Sequence, residues 1–199
     1  MSACLISALT RITFPVILNA LLYAWPADTQ PTRAALSLAA DQMAVETGLE
    51  TCRDFNVSGI KARIGGQYDW QFFPTTEYFE PIQLAYEKSR GPLTVLAVEP
   101  DGRTKVMLYP RHPGCAFRAF TNMQTAVSDH IATLRVSFPH AWAALQTGSP
   151  EAFAHGLRQD RYFTAPESEY SKALRFRDGQ QQAIMRRYPG TARLWGDVL

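Results

Sequence analysis

Leu38-Ala-Ala-Asp-Gln-Met-Ala-Val-Glu-Thr-Gly-Leu-Glu-Thr-Cys52 is the stretch on which the fold turns. Apolar residues Leu36, Ala39, Ala40, Met43 and Ala44 recur at helical spacing, so a helix runs from about Arg33 to Thr47. Thr32 can cap its start and Gly48 is the expected stop. One carboxylate, Glu46, stands in the last turn of this apolar helix. Where such a helix meets the core or a cleft, lost hydration raises a carboxylic acid's pKa, and a raised pKa is what a general acid needs near neutral pH. On local features alone the plainer alternative stays open, a helix-end Glu pointing to water or bonded to a nearby amide.

Upstream, Arg11 is the one charge between Cys4 and Trp25, a profile that a signal peptide or membrane span would share. Three features argue against both: no basic residue precedes the apolar run, Pro15 sits in its middle, and Ile12, Val16, Asn19 and Tyr23 give it a mixed register. The expectation is a buried first helix, Phe14 to Trp25, with Pro15 in its first turn. Downstream, Pro26 to Arg33 reads as loop, and Arg53 to Tyr68 as a second, glycine-punctuated loop. Aromatics and threonines from Tyr68 to Pro81 have the composition of strand. Two alternating runs between Leu93 and Pro110 flank Pro100-Asp101-Gly102, which is hairpin chemistry. From Met123 the period is helical to near the end, with Ser149-Pro150-Glu151 and Ala165-Pro166-Glu167 as helix starts. The expected class is α+β, mainly helical, with a small β-lobe or hairpin inserted in the middle of one domain over 1–199: N-terminal helices to 50, loop and β-lobe over 51–116, and C-terminal helices over 117–199.

The 199 residues are 46% hydrophobic and 19% charged, which suits a packed core. A net charge of +2, without any nucleic-acid-binding motif, argues against a nucleic-acid partner. His112, His130, His140 and His155 are scattered, with no metal-ligand spacing, and no cofactor motif is present. Cys4, Cys52 and Cys115 form no CxxC; they are expected as free thiols, with a Cys52–Cys115 pair as the alternative in an exported protein. Trp142 is expected in the core.

Several motifs in order bear on Glu46. They are Glu46-Thr47-Gly48, Asn56-Val57-Ser58-Gly59-Ile60-Lys61, Thr75-Thr76-Glu77-Tyr78, Phe117-Arg118-Ala119-Phe120, and Arg161-Tyr162-Phe163-Thr164-Ala165 with Tyr170. In order and approximate spacing, over about Arg33 to Leu174, the chain resembles the glucosaminidase family of peptidoglycan hydrolases, the flagellar-rod and autolysin type, which has a lysozyme-like fold. The resemblance implies that Glu46 is the general acid and that Glu77 is the second carboxylate, as base or electrostatic partner. Two carboxylates flanking a glycosidic bond are what hydrolysis through an oxocarbenium-like state needs. Inversion, retention and substrate assistance all stay open. Glu80 and then Asp69 rank after Glu77; on an alternating strand Glu77 shares a face with Phe79, and Tyr78 with Glu80. Tyr68, Trp70, Tyr78, Tyr162 and Tyr170 are candidate sugar-stacking side chains, with core packing as the other reading. Tyr162 matches a family tyrosine beside the acid. Asn56 and Lys61 are expected to orient the loop behind Glu46.

The chain departs from the family at Leu49-Glu50, where an aromatic and a second glycine are usual, and at Arg161 and Ala165 in the late motif. Leu84 to Cys115 is longer than the family's β-lobe. The implied activity is cleavage of peptidoglycan glycan strands, as an endo-β-N-acetylglucosaminidase first, with a muramidase or lytic transglycosylase, or a non-catalytic glycan-binding protein, as alternatives. The implied partners are glycan strands, and for a delivered enzyme an immunity protein or delivery machinery. The place of action is the cell wall, without a convincing signal peptide to explain the route.

Overall fold

The computed structural model describes residues 9–10, 13–47, 52–53, 55–66, 68–163 and 166–187. Strand β1 (Leu9–Thr10) leads into helix α1 (Phe14–Ala24), where Pro15 takes the first turn, a place that needs no N–H. Helix α2 (Arg33–Thr47) has the bounds its periodicity predicts, and Thr32 Oγ1 accepts from Ala35 N at 3.0 Å. Strand β2 (Cys52–Arg53) returns antiparallel to β1. Next come β3 (Trp70–Phe72), β4 (Thr75–Phe79), α3 (Pro81–Arg90), β5 (Leu93–Val98), β6 (Thr104–Leu108) and β7 (Ala116–Arg118). Helices α4 (Met123–Ser137), α5 (Pro139–Leu145), α6 (Pro150–Gln159) and α7 (Glu167–Arg187) complete the described chain. The fold is α+β, with the strands concentrated in the middle of the sequence.

The chain divides into two compact units. The helical unit takes the chain up to Ser58 and again from Thr121. Its core is built from side chains that the helical period puts inward: Phe14, Ile17 and Leu21 of α1, Leu36 and Met43 of α2, Ile131 and Leu134 of α4, and Phe153 of α6. Each such side chain contributes roughly 1.5–3 kcal/mol by leaving water. α1 packs on α2 and α4 within this core, so its apolar run is a buried helix, as expected. Among the described residues no helix is long and apolar enough to cross a membrane. Gly156 lets α6 lie directly on α5, since a Cβ there would stand 2.7 Å from His140 O. Trp142 is half-buried, its ring 5.4 Å from that of Trp25.

The strand unit spans Gly59 to Phe120. Its antiparallel sheet has the order β4-β6-β5, and a second antiparallel pair joins β3 to β7. Thr104, Val106 and Leu108 of β6 are buried on one face, and the register sets Phe79, Glu77 and Thr75 opposite them. Glu77 therefore lies on the inner face with Phe79, as strand alternation predicts, and Tyr78 lies on the other with Lys105. The β5–β6 hairpin forms where Pro100-Asp101-Gly102 predicts it; Gly102 takes φ +86° and Asp101 accepts from Arg103 N.

One sequence expectation needs correction. Residues Pro81–Arg90 form a helix within what reads as an extended β-lobe. Ile82 and Tyr86 face solvent and only Leu84 packs on the sheet core, so no buried stripe announces it, but Pro81 in the first turn and the Glu80/Gln83 capping box are start signals. Cys115 is a free thiol buried against Val106 and Leu108, in line with the expected free thiols rather than the alternative Cys52–Cys115 pair. Gly48, Leu49, Glu50, Thr164 and Ala165, and Cys4 with the start of the apolar run, lie outside the described residues.

Candidate active site

Glu46 is held by α2, whose opposite face is core. Leu36, Ala39, Ala40, Met43 and Ala44 are all fully buried, which fixes the rotation of the helix and hence the direction of Glu46. The last turn is closed by Thr47 Oγ1 donating to Met43 O at 2.7 Å. Glu46 keeps a solvent-exposed face, yet protein crowds its carboxyl on the other side, and this lost hydration raises its pKa above the usual carboxylate value. The hydrogen bond from Tyr170, and then the nearby Tyr162 hydroxyl, pull in the opposite direction without cancelling it. The carbonyls at the C-terminus of α2 disfavour an anion there, and so act with the burial.

Tyr170, on the first turns of α7, donates its hydroxyl to Glu46 Oε1 at 2.8 Å. Its ring is buried and stacks on Phe163, with centroids 4.3 Å apart and planes 11° apart. Tyr162 follows α6, donates to Ser58 O at 3.1 Å, and meets Phe138 edge-on. Burial, and then the Glu46 charge, push both phenols well above their ordinary pKa, so both stay protonated donors. Asn56 is buried in the same unit, two residues before Ser58. The structure thus gathers Glu46, Tyr162 and Tyr170 from positions 46, 162 and 170.

Behind them lies a group that sequence reasoning did not single out. Gln42, one turn before Glu46 and fully buried, faces His130 of α4, with Oε1 3.1 Å from Nε2. Burial lowers the His130 pKa to about 3, so the imidazole is neutral. The signal available in the sequence was a glutamine on the apolar face of α2; its partner lies 88 residues away.

In the strand unit Lys61 donates to Glu77 Oε1 at 2.6 Å and to Gly114 O. Its ammonium also stands 4.5 Å from the Phe117 ring centre, and its backbone bridges Phe117. Lys61 was expected to serve the loop behind Glu46; its charge serves Glu77. Glu80 is the N-cap of α3, in a reciprocal capping box with Gln83, and Asp69 is exposed. Tyr68 lies under the Arg118 guanidinium at 4.0 Å, and Trp70 packs edge-on against Phe72 at 4.9 Å. Tyr78 is exposed on the outer sheet face, 5.6 Å from the Lys105 ammonium. No cluster of three or more metal-ligating side chains occurs among the described residues.

This α+β fold has a solved counterpart. A peptidoglycan hydrolase mutant from Sphingomonas sp. A1 matches at 21% identity and a TM-score of 0.51, over 85% of this chain and 99% of that one. A glycoside hydrolase domain from Salmonella typhimurium FlgJ is similar at 22% identity and a TM-score of 0.46, over 95% of each chain. At these identities the likeness to the Sphingomonas structure is one of fold. No family model and no curated protein matches the chain.

Proposed function

We propose that this chain cleaves the glycan strands of peptidoglycan, as an endo-β-N-acetylglucosaminidase of the glucosaminidase family. The observation that carries the reading is the setting of Glu46: a carboxyl at a helix end, with raised pKa, reached by solvent on one side and held by the Tyr170 hydroxyl on the other. A carboxylic acid kept protonated near neutral pH is what a glycosidic oxygen needs as it leaves. The shared fold with a peptidoglycan hydrolase and the ordered motifs around Glu46 support the same substrate.

In this reading Glu46 protonates the leaving oxygen. Its proton comes from solvent, and Tyr170 steadies the carboxylate formed in the transition state. Glu77 is the second carboxylate, aligned by Lys61, and acts as base toward water or as an electrostatic stabiliser. Glu80 is less suited, because its carboxylate already caps a helix. Tyr68, Trp70 and Tyr78 offer aromatic faces to sugar rings. The site of action is the cell wall.

The test is digestion of purified sacculi followed by mass spectrometry of the released fragments. Fragments with reducing N-acetylglucosamine ends support the glucosaminidase. Reducing N-acetylmuramic acid ends or anhydro ends would reassign the bond, and absence of any glycan cleavage would overturn the reading.

A further inference from the structure

The Tyr170 hydroxyl meets Glu46 Oε1 at 2.8 Å, but a hydrogen bond fixes only the tip of a side chain that turns about its own bonds. The plane of the Tyr170 ring is set by Phe163, whose ring lies 4.3 Å away and 11° from parallel. Flat rings at that spacing share a face, so one cannot tilt without losing contact with the other or clashing with it. Phe163 is in turn placed by the end of α6. Tyr162 N donates to Leu157 O at 2.9 Å and Arg161 N to Arg158 O at 3.1 Å, the paired bonds of a helix stop whose left-handed residue is Arg161, at φ +61°. That region favours glycine, so holding an arginine there is strained, and the strain maintains one particular exit from the helix. The exit sends Tyr162 to Ser58 O and Phe163 to Tyr170. Arg158 Nη1 donates to Phe163 O at 3.1 Å and ties Phe163 back to α6.

We propose that Phe163 is a positioning residue for the Glu46 acid: its ring holds the Tyr170 ring in the plane that aims the hydroxyl at Glu46, and Arg158 holds Phe163 in place. Each link from Arg158 to Glu46 is a direct contact: carbonyl, ring face, hydroxyl, carboxyl. Phe163 carries no charge and no donor of its own on its side chain, so it acts on the acid through Tyr170. The ionisable side chains that act on Glu46 are Tyr170, from α7, and Tyr162, from the α6 exit. The role assigned here rests on Glu46 being the catalytic acid.

The test is a carbon-13 NMR titration of the Glu46 carboxyl in the full chain, which needs no substrate. Phe163→Leu keeps an apolar side chain but removes the flat face, so the donation from Tyr170 weakens and the Glu46 midpoint rises by about half a unit. In a Tyr170→Phe background the same substitution moves the midpoint by less than about a third of that, because no hydroxyl is left to aim. Phe163→Tyr, which keeps a flat ring, stays at the wild-type midpoint. An unchanged midpoint in Phe163→Leu, equal shifts in the two backgrounds, or a tyrosine that shifts as far as the leucine would overturn the proposal. So would a fall in the midpoint, which would mean that Phe163 acts by keeping water from the carboxyl. Should Phe163→Leu fail to fold, Arg158→Met makes the same comparison in the same two backgrounds. On sacculi, Phe163→Leu lowers kcat about threefold with KM unchanged and moves the alkaline limb of the pH profile with the midpoint. An inactive wild type with a responsive midpoint would remove the glycosidase reading and leave the contact chain standing. An active enzyme with an unresponsive midpoint would remove the positioning role alone.

Discussion

Glu46 and Glu77 occupy differently built halves of the molecule. Glu46 ends a helix packed into a core that includes Phe14, Ile17, Leu36, Met43, Ile131 and Phe153, and it meets neutral phenol donors. Glu77 lies on a three-stranded sheet whose buried apolar core is Val106, Leu108 and Cys115, and it meets a lysine ammonium. A large apolar core excludes water and raises an acid's pKa, so the helical unit suits proton donation. The strand unit instead places a lysine ammonium on Glu77, at 2.6 Å.

The largest expected break in this contrast is in the cores. Phe153→Ala costs about 3–5 kcal/mol, measured by urea unfolding, because α5 and α6 cannot close the void. Leu108→Ala in the strand unit falls near about 2–3 kcal/mol, since its few neighbours can collapse. Glu77→Gln lowers the rate on sacculi about 10²-fold, with its alkaline limb unchanged, because the alkaline limb belongs to Glu46. A loss equal to that of Glu46→Gln would erase the distinction between the two acids.

A second buried acid sharpens the same point. Asp41, on the face of α2 toward α7, is 2% exposed, one of its oxygens has no partner among the described residues, and burial with the nearby Asp178 charge raises its pKa to about 8 despite Arg177. The folded protein therefore holds a proton that the unfolded chain, at 3.8, releases, so stability falls as pH rises from about 4 to about 8. Asp41→Asn stabilises the protein by on the order of 1–3 kcal/mol at pH 8 and by little at pH 4, read as melting temperature against pH. Smaller still, Tyr170→Phe removes a donor to the Glu46 anion. It moves the alkaline limb of activity upward by about one unit, since activity is lost as pH rises through the Glu46 pKa.

What was legible in the sequence was local. Helices α1 and α2, the hairpin at Asp101-Gly102 and the Ser149 cap follow from periodicity and turn chemistry within a few residues. Helix α3 escaped because Ile82 and Tyr86 point outward and Leu84 alone packs on the sheet core, so hydrophobic period, the strongest helix signal, was missing. Glu46 was legible as an acid on an apolar helix. Its pairing with Tyr170 spans 124 residues, the Gln42–His130 contact spans 88, and neither follows from spacing. The Lys61–Glu77 pair hid for a related reason: a lysine in a glycine-rich loop has no period to say which face it meets.

The central claim is that Glu46 delivers a proton to a glycosidic oxygen of peptidoglycan. The most direct measurement is the rate of new reducing ends released from purified sacculi by wild type and Glu46→Gln at pH 6, with folding of both checked by melting temperature. The account predicts that the amide loses about 10³-fold or more in rate while binding to sacculi persists. Equal rates for the two proteins would contradict it.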